Sequence, residues 1–225
     1  MTRAREHFDG ADFPIDSFDV DFREQLAALV RRRRDVRRFR PDPVPEAILE
    51  EALRLAHLAP SVGFSQPWRF LLVEDEAKRA AAMASFLRAN AAALEQTAPE
   101  DRALYARLKL EGLREAPVQM AVFCDEETHT GRGLGARTMP ETRAYSTVCA
   151  IHTLWLALRA HGVGLGWVSI LEPQEIARIC AVPKGWRFVA WLCIGWPQEA
   201  RAETPELERL GWERRLPLEK LCRRI

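Results

Sequence analysis

The chain has 225 residues, 48% of them hydrophobic and 29% charged, which is the composition of a folded globular protein of a single domain covering residues 1–225. The 33 lysines and arginines balance the 32 aspartates and glutamates, and the net charge of +1 excludes an overall field that would attract nucleic acid or an anionic membrane. No segment offers the roughly 18 apolar residues of a membrane span, and the charged N-terminus does not fit a signal peptide, so we expect a cytoplasmic protein.

The first part of the chain predicts an arm and two helices. Residues 1–20 mix phenylalanines with aspartates without a helical period, which is typical of an arm lying on another surface, such as a dimer partner. Apolar residues at helical spacing from Phe22 to Val30 then predict a helix whose last turn is rich in arginine. Pro45 suits the first turn of a second helix, which stops before Pro60.

The remainder intermixes apolar runs with helical patterns, which indicates an α+β or α/β sandwich. The glycine-rich polar segment 125–140 predicts a loop, and the proline-containing tail from residue 196 predicts an extended arm. The predicted strands are 68–73, 118–124, 164–171 and 188–195, and the predicted helices are 76–96, 100–114, 141–161 and 173–180.

Neither a disulfide framework nor a metal site is predicted. The five cysteines are odd in number, widely spaced and without a C-x-x-C pair, so we expect reduced and mostly buried thiols. The five histidines show no metal-ligand spacing, and the acidic run 125–127 is most simply the solvated start of a loop.

The densest charge lies between positions 31 and 40, where seven residues are arginine. Guanidinium groups bind phosphate through paired planar donors, so this run predicts a phosphorylated ligand. A solvated basic helix end explains the composition equally well. A nucleic-acid patch fits less well, because Asp35 interrupts the run and the rest of the chain is neutral.

Two further segments have the composition of ligand-binding loops. Residues 60–68 combine prolines and a glycine with hydroxyl and amide side chains, as in a rigid pocket wall, although an ordinary turn would use the same residues. Residues 162–169 include glycines that allow a flat ligand to approach the backbone. Their spacing differs from G-x-G-x-x-G and leads into a strand, so a dinucleotide fingerprint is not supported.

Three segments taken in order resemble the nitroreductase superfamily across nearly the whole chain. They are RRRRDVRRF at 31–39, APSVGFSQPWRF at 59–70 and GLGWVSIL at 164–171. Asp35 and PSVGFSQPW resemble, within that superfamily, the 5,6-dimethylbenzimidazole synthases of the BluB family. Ordinary nitroreductases more often have Ser in place of Asp35 and Asn in place of Phe64.

The resemblance implies an α+β fold, a nitroreductase-like three-layer α-β-α sandwich with a mixed, mainly antiparallel central sheet and swapped terminal arms. It also implies a homodimer with its FMN sites at the subunit interface. The implied flavin-binding residues are Arg33, Arg34, Asp35, Val36 and Arg37 at the phosphate, ribityl chain and pyrimidine edge, Ser61 and Gly63 in the partner-facing wall, Val168 and Ser169 along the ring, and Arg214 or Arg215 at the phosphate.

The activity implied by the resemblance uses reduced FMN as a substrate. Reduced FMN reacts with dioxygen and is fragmented to 5,6-dimethylbenzimidazole, the lower ligand of cobalamin, and D-erythrose 4-phosphate. We hypothesise that Asp35 is the acid/base residue, because arginines favour its ionised form, and that Ser169 orients the reacting groups. A merely structural ion pair of Asp35 with Arg34 or Arg38 is the alternative.

The loop 125–140 is a candidate lid that would keep NAD(P)H out, so a separate NAD(P)H-dependent flavin reductase is expected to supply reduced FMN. One alternative is an NAD(P)H-dependent FMN nitroreductase or flavin reductase, against which Asp35 and Phe64 argue. A second is a non-catalytic flavin-binding protein. The third, a basic nucleic-acid module, would lose affinity steeply with salt.

Overall fold

The structure, a computed structural model, describes residues 17–199 and 204–225. Helix α1, Val20–Arg32, begins where the Asp19 carboxylate accepts a hydrogen bond from the Phe22 amide, and none of its residues is buried. Helix α2, Glu46–His57, follows Pro45 as predicted. The remaining helices are α3 (Glu76–Gln96), α4 (Arg102–Tyr105), α5 (Thr142–Ala160), α6 (Pro173–Ile179) and α7 (Glu206–Arg209), and the strands are β1 (Trp68–Leu72), β2 (Val118–Asp125), β3 (Gly164–Val168) and β4 (Trp186–Gly195).

The four strands form one sheet in the order β1-β2-β4-β3, and each neighbouring pair is antiparallel. The pairing of β2 with β4 shifts register between Val122 and Phe123. One isolated parallel bridge joins Asp35 to Leu165 in the edge strand β3. The sheet is therefore mainly antiparallel, and the parallel component within the described ranges is this short contact beside β3.

Helices cover both faces of the sheet. Successive side chains of a strand point to opposite faces, so the residues of β2 divide between two cores. Met120 and Val122 pack with residues of α2 and α5, whereas Ala121 and Phe123 pack with residues of α3 and α6. This arrangement confirms the three-layer α-β-α sandwich.

The prediction of a helix at residues 100–114 is wrong. Only α4 forms there, and the chain continues without regular structure to β2. The Glu111 carboxylate accepts a hydrogen bond of 2.6 Å from the Leu113 amide, and Gly112 lies so close to the Phe39 ring that a side chain would overlap it. Local side-chain bonding and tertiary packing therefore replace the helical pattern.

Two smaller expectations also differ from the structure. The strand predicted at 164–171 ends at Val168. All five cysteines are free, but only Cys124 and Cys193 are buried, whereas Cys149 and Cys222 are exposed, so the expectation of mostly buried thiols is wrong. Burial raises the pKa of the Cys193 thiol to about 12.

Among the described residues no cluster of His, Cys, Asp or Glu could hold a metal ion.

The predicted terminal arms are only partly described. Residues 1–16 of the N-terminal arm lie outside the described residues. The tail carries α7 and a 3-10 turn at Leu218–Lys220, and most of its residues from 204 onward are exposed. Swapping of these arms between subunits stays a prediction. Over the described ranges, no helix combines the length and apolar character needed to cross a membrane.

Candidate functional site

The arginines at 31–38 line one side of a cleft of about 820 Å³. Its other walls come from α5, the start of β3 and the C-terminal tail, a size and position suited to a small ligand. The lining residues outside the arginine run include Trp155, Arg159, Leu165, Glu206, Arg209 and Arg215.

The arginine run follows the edge of the sheet because α1 ends just before it. Arg33 has an extended backbone with ψ of 128°, and its amide donates to the Leu29 carbonyl at 3.0 Å, which closes the helix. The Val36 amide then donates to the Leu165 carbonyl at 3.0 Å. Gly166 permits this approach, because a side chain there would overlap the Val36 carbonyl oxygen.

Both carboxylate oxygens of Asp35 are bonded. Oδ1 accepts a hydrogen bond of 2.9 Å from the Trp167 amide, and Oδ2 pairs with the Arg37 guanidinium. The ion-pair partner is thus Arg37, in place of the Arg34 or Arg38 considered from sequence. The Asp35 side chain keeps 40% of its surface open and lines the cleft, so the carboxylate faces any ligand bound there.

The charges around Asp35 do not lower its pKa overall. Although 40% of the side-chain surface is open, the protein atoms packed around the carboxylate displace water and raise its pKa, and this desolvation exceeds the lowering by Arg37, by the Trp167 amide and by Arg33. The arginines favour the ionised form of this group, as expected from the sequence, but desolvation outweighs them in the direction of the pKa shift. A carboxylate with a raised pKa is a stronger proton acceptor, as general-base chemistry requires.

Arg37 has one buried donor that no described residue satisfies. Its side chain is 15% exposed, Nη2 pairs with Asp35, and Nη1 is buried without a hydrogen-bond partner. An unsatisfied charged donor is costly in a protein interior. The cleft therefore fits a ligand that offers an acceptor oxygen at this point.

Arg33 and Arg34 are both held by Trp155 of α5. The Arg33 guanidinium carbon lies 4.6 Å from the centre of the Trp155 ring, a cation–π arrangement. The Trp155 indole Nε1 donates to the Arg34 carbonyl at 3.2 Å. Arg34 also donates from Nη1 to the Arg33 carbonyl at 2.6 Å.

The C-terminal tail supplies one of the two arginines predicted from it. Arg215 lines the cleft, whereas Arg214 does not. The tail is held against the arginine run by a hydrogen-bonded ion pair of 2.9 Å between Arg38 and Glu206.

Ser61 and Gly63 lie outside the cleft of their own chain. The Ser61 hydroxyl accepts a hydrogen bond of 3.1 Å from the Gln66 amide, and a side chain at Gly63 would overlap the Leu134 carbonyl, so the loop is well fixed. Phe64 has a positive φ of 58° and a side chain that is 76% exposed. The loop therefore presents a strained, apolar tip to its surroundings.

Val168 and Ser169 extend the site along β3 without lining the cleft. Val168 is 1% exposed and packs in the core, so the residue offers almost no surface to a ligand. Ser169 is exposed and follows two residues after Trp167, whose amide holds Asp35. The predicted lid, 125–140, also contributes no residue to this cleft.

Comparison with known proteins identifies the family. The model of the nitroreductase family matches residues 30–196, most of the chain. The chain belongs to the nitroreductase family. A 5,6-dimethylbenzimidazole synthase of Rhodospirillum rubrum is 59% identical over 200 residues, covering 89% of this chain and 94% of the relative. Another, from Rhodobacter capsulatus, is 47% identical and covers 90% of this chain and 98% of the relative.

A solved structure supports the same placement of the fold. Iodotyrosine deiodinase bound to FMN and 3-iodo-L-tyrosine matches with a TM-score of 0.68 and 27% identity, covering 80% of this chain and 94% of that chain. The three-layer sandwich of this nitroreductase family member is therefore the one that the resemblance implied.

Sequence reasoning missed several cleft residues of this nitroreductase family member, among them Trp155, Arg159 and Glu206. Trp155 fits the apolar stripe of α5, and only its indole N–H, which needs an acceptor when buried, signals another role. Arg159, one turn further along the same helix, and Glu206 in the tail carry no local signal. Their positions depend on how α5 and the tail pack against the arginine run.

Proposed function

We propose that the protein is a 5,6-dimethylbenzimidazole synthase, which uses dioxygen to fragment reduced FMN into 5,6-dimethylbenzimidazole and D-erythrose 4-phosphate. Identity of 59% and 47% to two synthases over most of the chain supports the reaction. The observation that carries the proposal is the Asp35 carboxylate, which is oriented by two bonds and lines an arginine-rich cleft.

The cleft residues fit FMN. FMN has a phosphate and a flat ring with carbonyl oxygens, and the bound ring supplies the atoms from which the benzimidazole is made. Arg33, Arg34 and Arg215 would hold the phosphate and ribityl chain through guanidinium donors. The unsatisfied Nη1 of Arg37 would donate to an oxygen of the flavin. Val36 would contribute its backbone to the wall of the cleft.

Asp35 would move the proton that fragmentation requires. The Trp167 amide and Arg37 hold its two oxygens, so the group needs little reorganisation when it accepts a proton. Ser169, on the same edge of the sheet, would orient the reacting atoms through its hydroxyl, with the backbone of Val168 along the ring.

A second subunit would complete the site. The exposed apolar residues Leu58, Phe64, Tyr145 and Val148 lie in the loop after α2 and on α5, a surface that a homodimer would bury. The loop carrying Ser61 and Gly63 would then form the partner-facing wall of the neighbouring cleft. Swapped terminal arms would extend this interface.

The remaining partners follow from the reaction. Reduced FMN would come from a separate NAD(P)H-dependent flavin reductase, because the protein consumes the flavin rather than recycling it. We infer a cytoplasmic enzyme that uses no metal and binds neither nucleic acid nor membranes.

The test supplies the purified protein with FMN, NADH and an excess of flavin reductase in air, and measures 5,6-dimethylbenzimidazole by chromatography and mass. Asp35→Asn keeps an oxygen for the Trp167 amide but cannot accept the proton. We expect it to bind FMN and to lose at least about a hundredfold in rate, as for other general acid–base residues. Asp42→Asn is the matched control, because Asp42 pairs with Arg40 at 2.8 Å outside the cleft.

Product from wild type and from Asp42→Asn, but not from Asp35→Asn, supports the proposal. Wild-type protein that makes no product but reduces a nitroaromatic with NADH would be a conventional nitroreductase. Intact FMN with neither activity would indicate a flavin-binding protein without turnover. An active Asp35→Asn variant would remove Asp35 from the mechanism while leaving the synthase in place.

A further inference from the structure

We infer that Trp155 is a positioning residue for flavin binding, which presents the guanidinium of Arg33 to the phosphate of FMN and fixes the backbone at Arg34. This inference rests on the proposed function, because it requires the arginine cleft to hold a flavin phosphate. Three observations carry it: the stacking of Arg33 on the indole, the hydrogen bond to Arg34 and the anchoring of the indole in the core.

Stacking on the indole orients the Arg33 donors. A guanidinium group is planar, and its five N–H donors lie around its edge. Arg33 stands over the Trp155 ring at 4.6 Å from the ring centre, so the ring engages the guanidinium by attraction to its charge. The edge of the guanidinium remains open to the cleft that both residues line.

The indole N–H fixes the chain at the next residue. Trp155 Nε1 donates to the Arg34 carbonyl at 3.2 Å, and this carbonyl belongs to the peptide plane that leads into Asp35. Two residues after Arg34, the Val36 amide donates a hydrogen bond of 3.0 Å to the Leu165 carbonyl. One side chain of α5 thus holds the point where the chain turns from α1 to the edge of the sheet.

The indole itself is firmly placed. Trp155 is half-buried and packs on the core formed by α2, α5 and the sheet, next to the fully buried Leu154 and Leu158. A rigid support of this kind reduces the rotamer freedom that a long arginine side chain loses on binding. The expected consequence is tighter binding of the phosphate, with little effect on the flavin ring.

Isothermal titration with oxidised FMN and with riboflavin, which lacks the phosphate, separates these two contributions. Trp155→Phe keeps an aromatic face for Arg33 but loses the N–H donor, and Trp155→Leu loses both. Trp196→Phe is the matched control, because the Trp196 indole also donates to a carbonyl, that of Pro43 at 3.1 Å, without lining the cleft.

We expect wild type to bind FMN more tightly than riboflavin. Trp155→Leu should weaken FMN binding about tenfold, and Trp155→Phe about threefold, from the loss of a cation–π contact and one hydrogen bond. Riboflavin affinity should stay within about twofold in both variants. Trp196→Phe should leave both affinities unchanged.

A merely structural role would weaken both ligands together. An unchanged ratio of FMN to riboflavin affinity in the Trp155 variants, in a wild type that discriminates the two ligands, would overturn the inference and leave the proposed function standing. Equal wild-type affinities would instead overturn the phosphate site, and the role of Trp155 with it. Trp155→Phe keeps the test valid if Trp155→Leu fails to fold.

Discussion

The backbone amide of Trp167 donates a hydrogen bond of 2.9 Å to Oδ1 of Asp35, which is 132 residues away in the sequence. The guanidinium of Arg37 holds the second oxygen. The orientation of the carboxylate is therefore set by the folded chain before a substrate arrives. Preorganised groups of this kind lower the reorganisation needed in a transition state.

The pH dependence of the protein's stability should reflect the raised pKa of Asp35. A group with a raised pKa holds its proton more tightly in the native state than in the unfolded state, so its contribution to stability falls as pH rises from its ordinary value toward the raised one. Asn does not titrate. We expect the Tm of wild type relative to Asp35→Asn, measured by calorimetry, to fall as pH rises above the ordinary aspartate pKa of about 4.

Asp42 provides a control of opposite sign. The hydrogen bond from Arg40 lowers the pKa of this exposed carboxyl, so its contribution is present above its ordinary pKa and is lost as pH falls. The Tm of wild type relative to Asp42→Asn should therefore rise with pH up to the ordinary carboxyl pKa of about 4 and stay constant above it. If the Tm of wild type relative to Asp35→Asn instead increased with pH, that result would contradict the raising of the Asp35 pKa by burial.

Arg37→Lys should weaken FMN binding while keeping a positive charge. The planar guanidinium of Arg37 pairs with Asp35 through Nη2 and carries the unsatisfied Nη1. Lysine has a single ammonium group, which cannot make both contacts in the same geometry. Loss of one hydrogen bond involving a charged group corresponds to on the order of tenfold to a hundredfold in affinity. Fluorescence titration measures it, with Arg40→Lys, outside the cleft, as the control. Equal losses in both variants would show a general charge effect.

Gly166→Ala should separate the arginine run from β3. The added Cβ would overlap the Val36 carbonyl oxygen, a backbone atom that cannot rotate away. Overpacking of this kind costs about 1–3 kcal/mol, and the Tm should fall by several degrees accordingly. Gly211→Ala is the control, because an added Cβ there meets nothing within 4 Å, although its φ of +83° adds backbone strain. A Gly166→Ala variant as stable as wild type would show that the two segments separate without cost.

The exposed face of α5 should form the dimer interface. Val148 is 40% exposed on this helix, and Val148→Glu would place a charge in an apolar contact. We expect the variant to sediment as a monomer at concentrations where wild type is a dimer. Leu87→Glu is the control, because Leu87 is 48% exposed on α3, on the opposite face of the sheet. Dissociation by Leu87→Glu alone would move the interface to that face.

Helix limits were predictable where the signal is local. Helix α3 occupies the predicted range 76–96, because Asp75 caps the first turn by accepting from the amides of Ala77 and Lys78, and helix-forming residues continue to Gln96. Between residues 100 and 114 the same reasoning failed, since the bond from the Leu113 amide to Glu111 and the contact of Gly112 with Phe39 outweigh local propensity.

Hydrophobic periodicity depends only on neighbouring residues, so the sequence by itself predicted a sandwich of helices and strands, whose three layers the family resemblance implied. The sequence also marked the arginine run and Asp35, whose charges are evident from composition. Only the tertiary structure decided which groups meet that run: Trp155 at the Arg34 carbonyl, Trp167 at Asp35 and Arg215 in place of Arg214. These contacts join segments more than a hundred residues apart in sequence, and packing, rather than local pattern, chooses them. Burial likewise set the direction of the Asp35 pKa shift, which the charges in the sequence alone predict with the opposite sign.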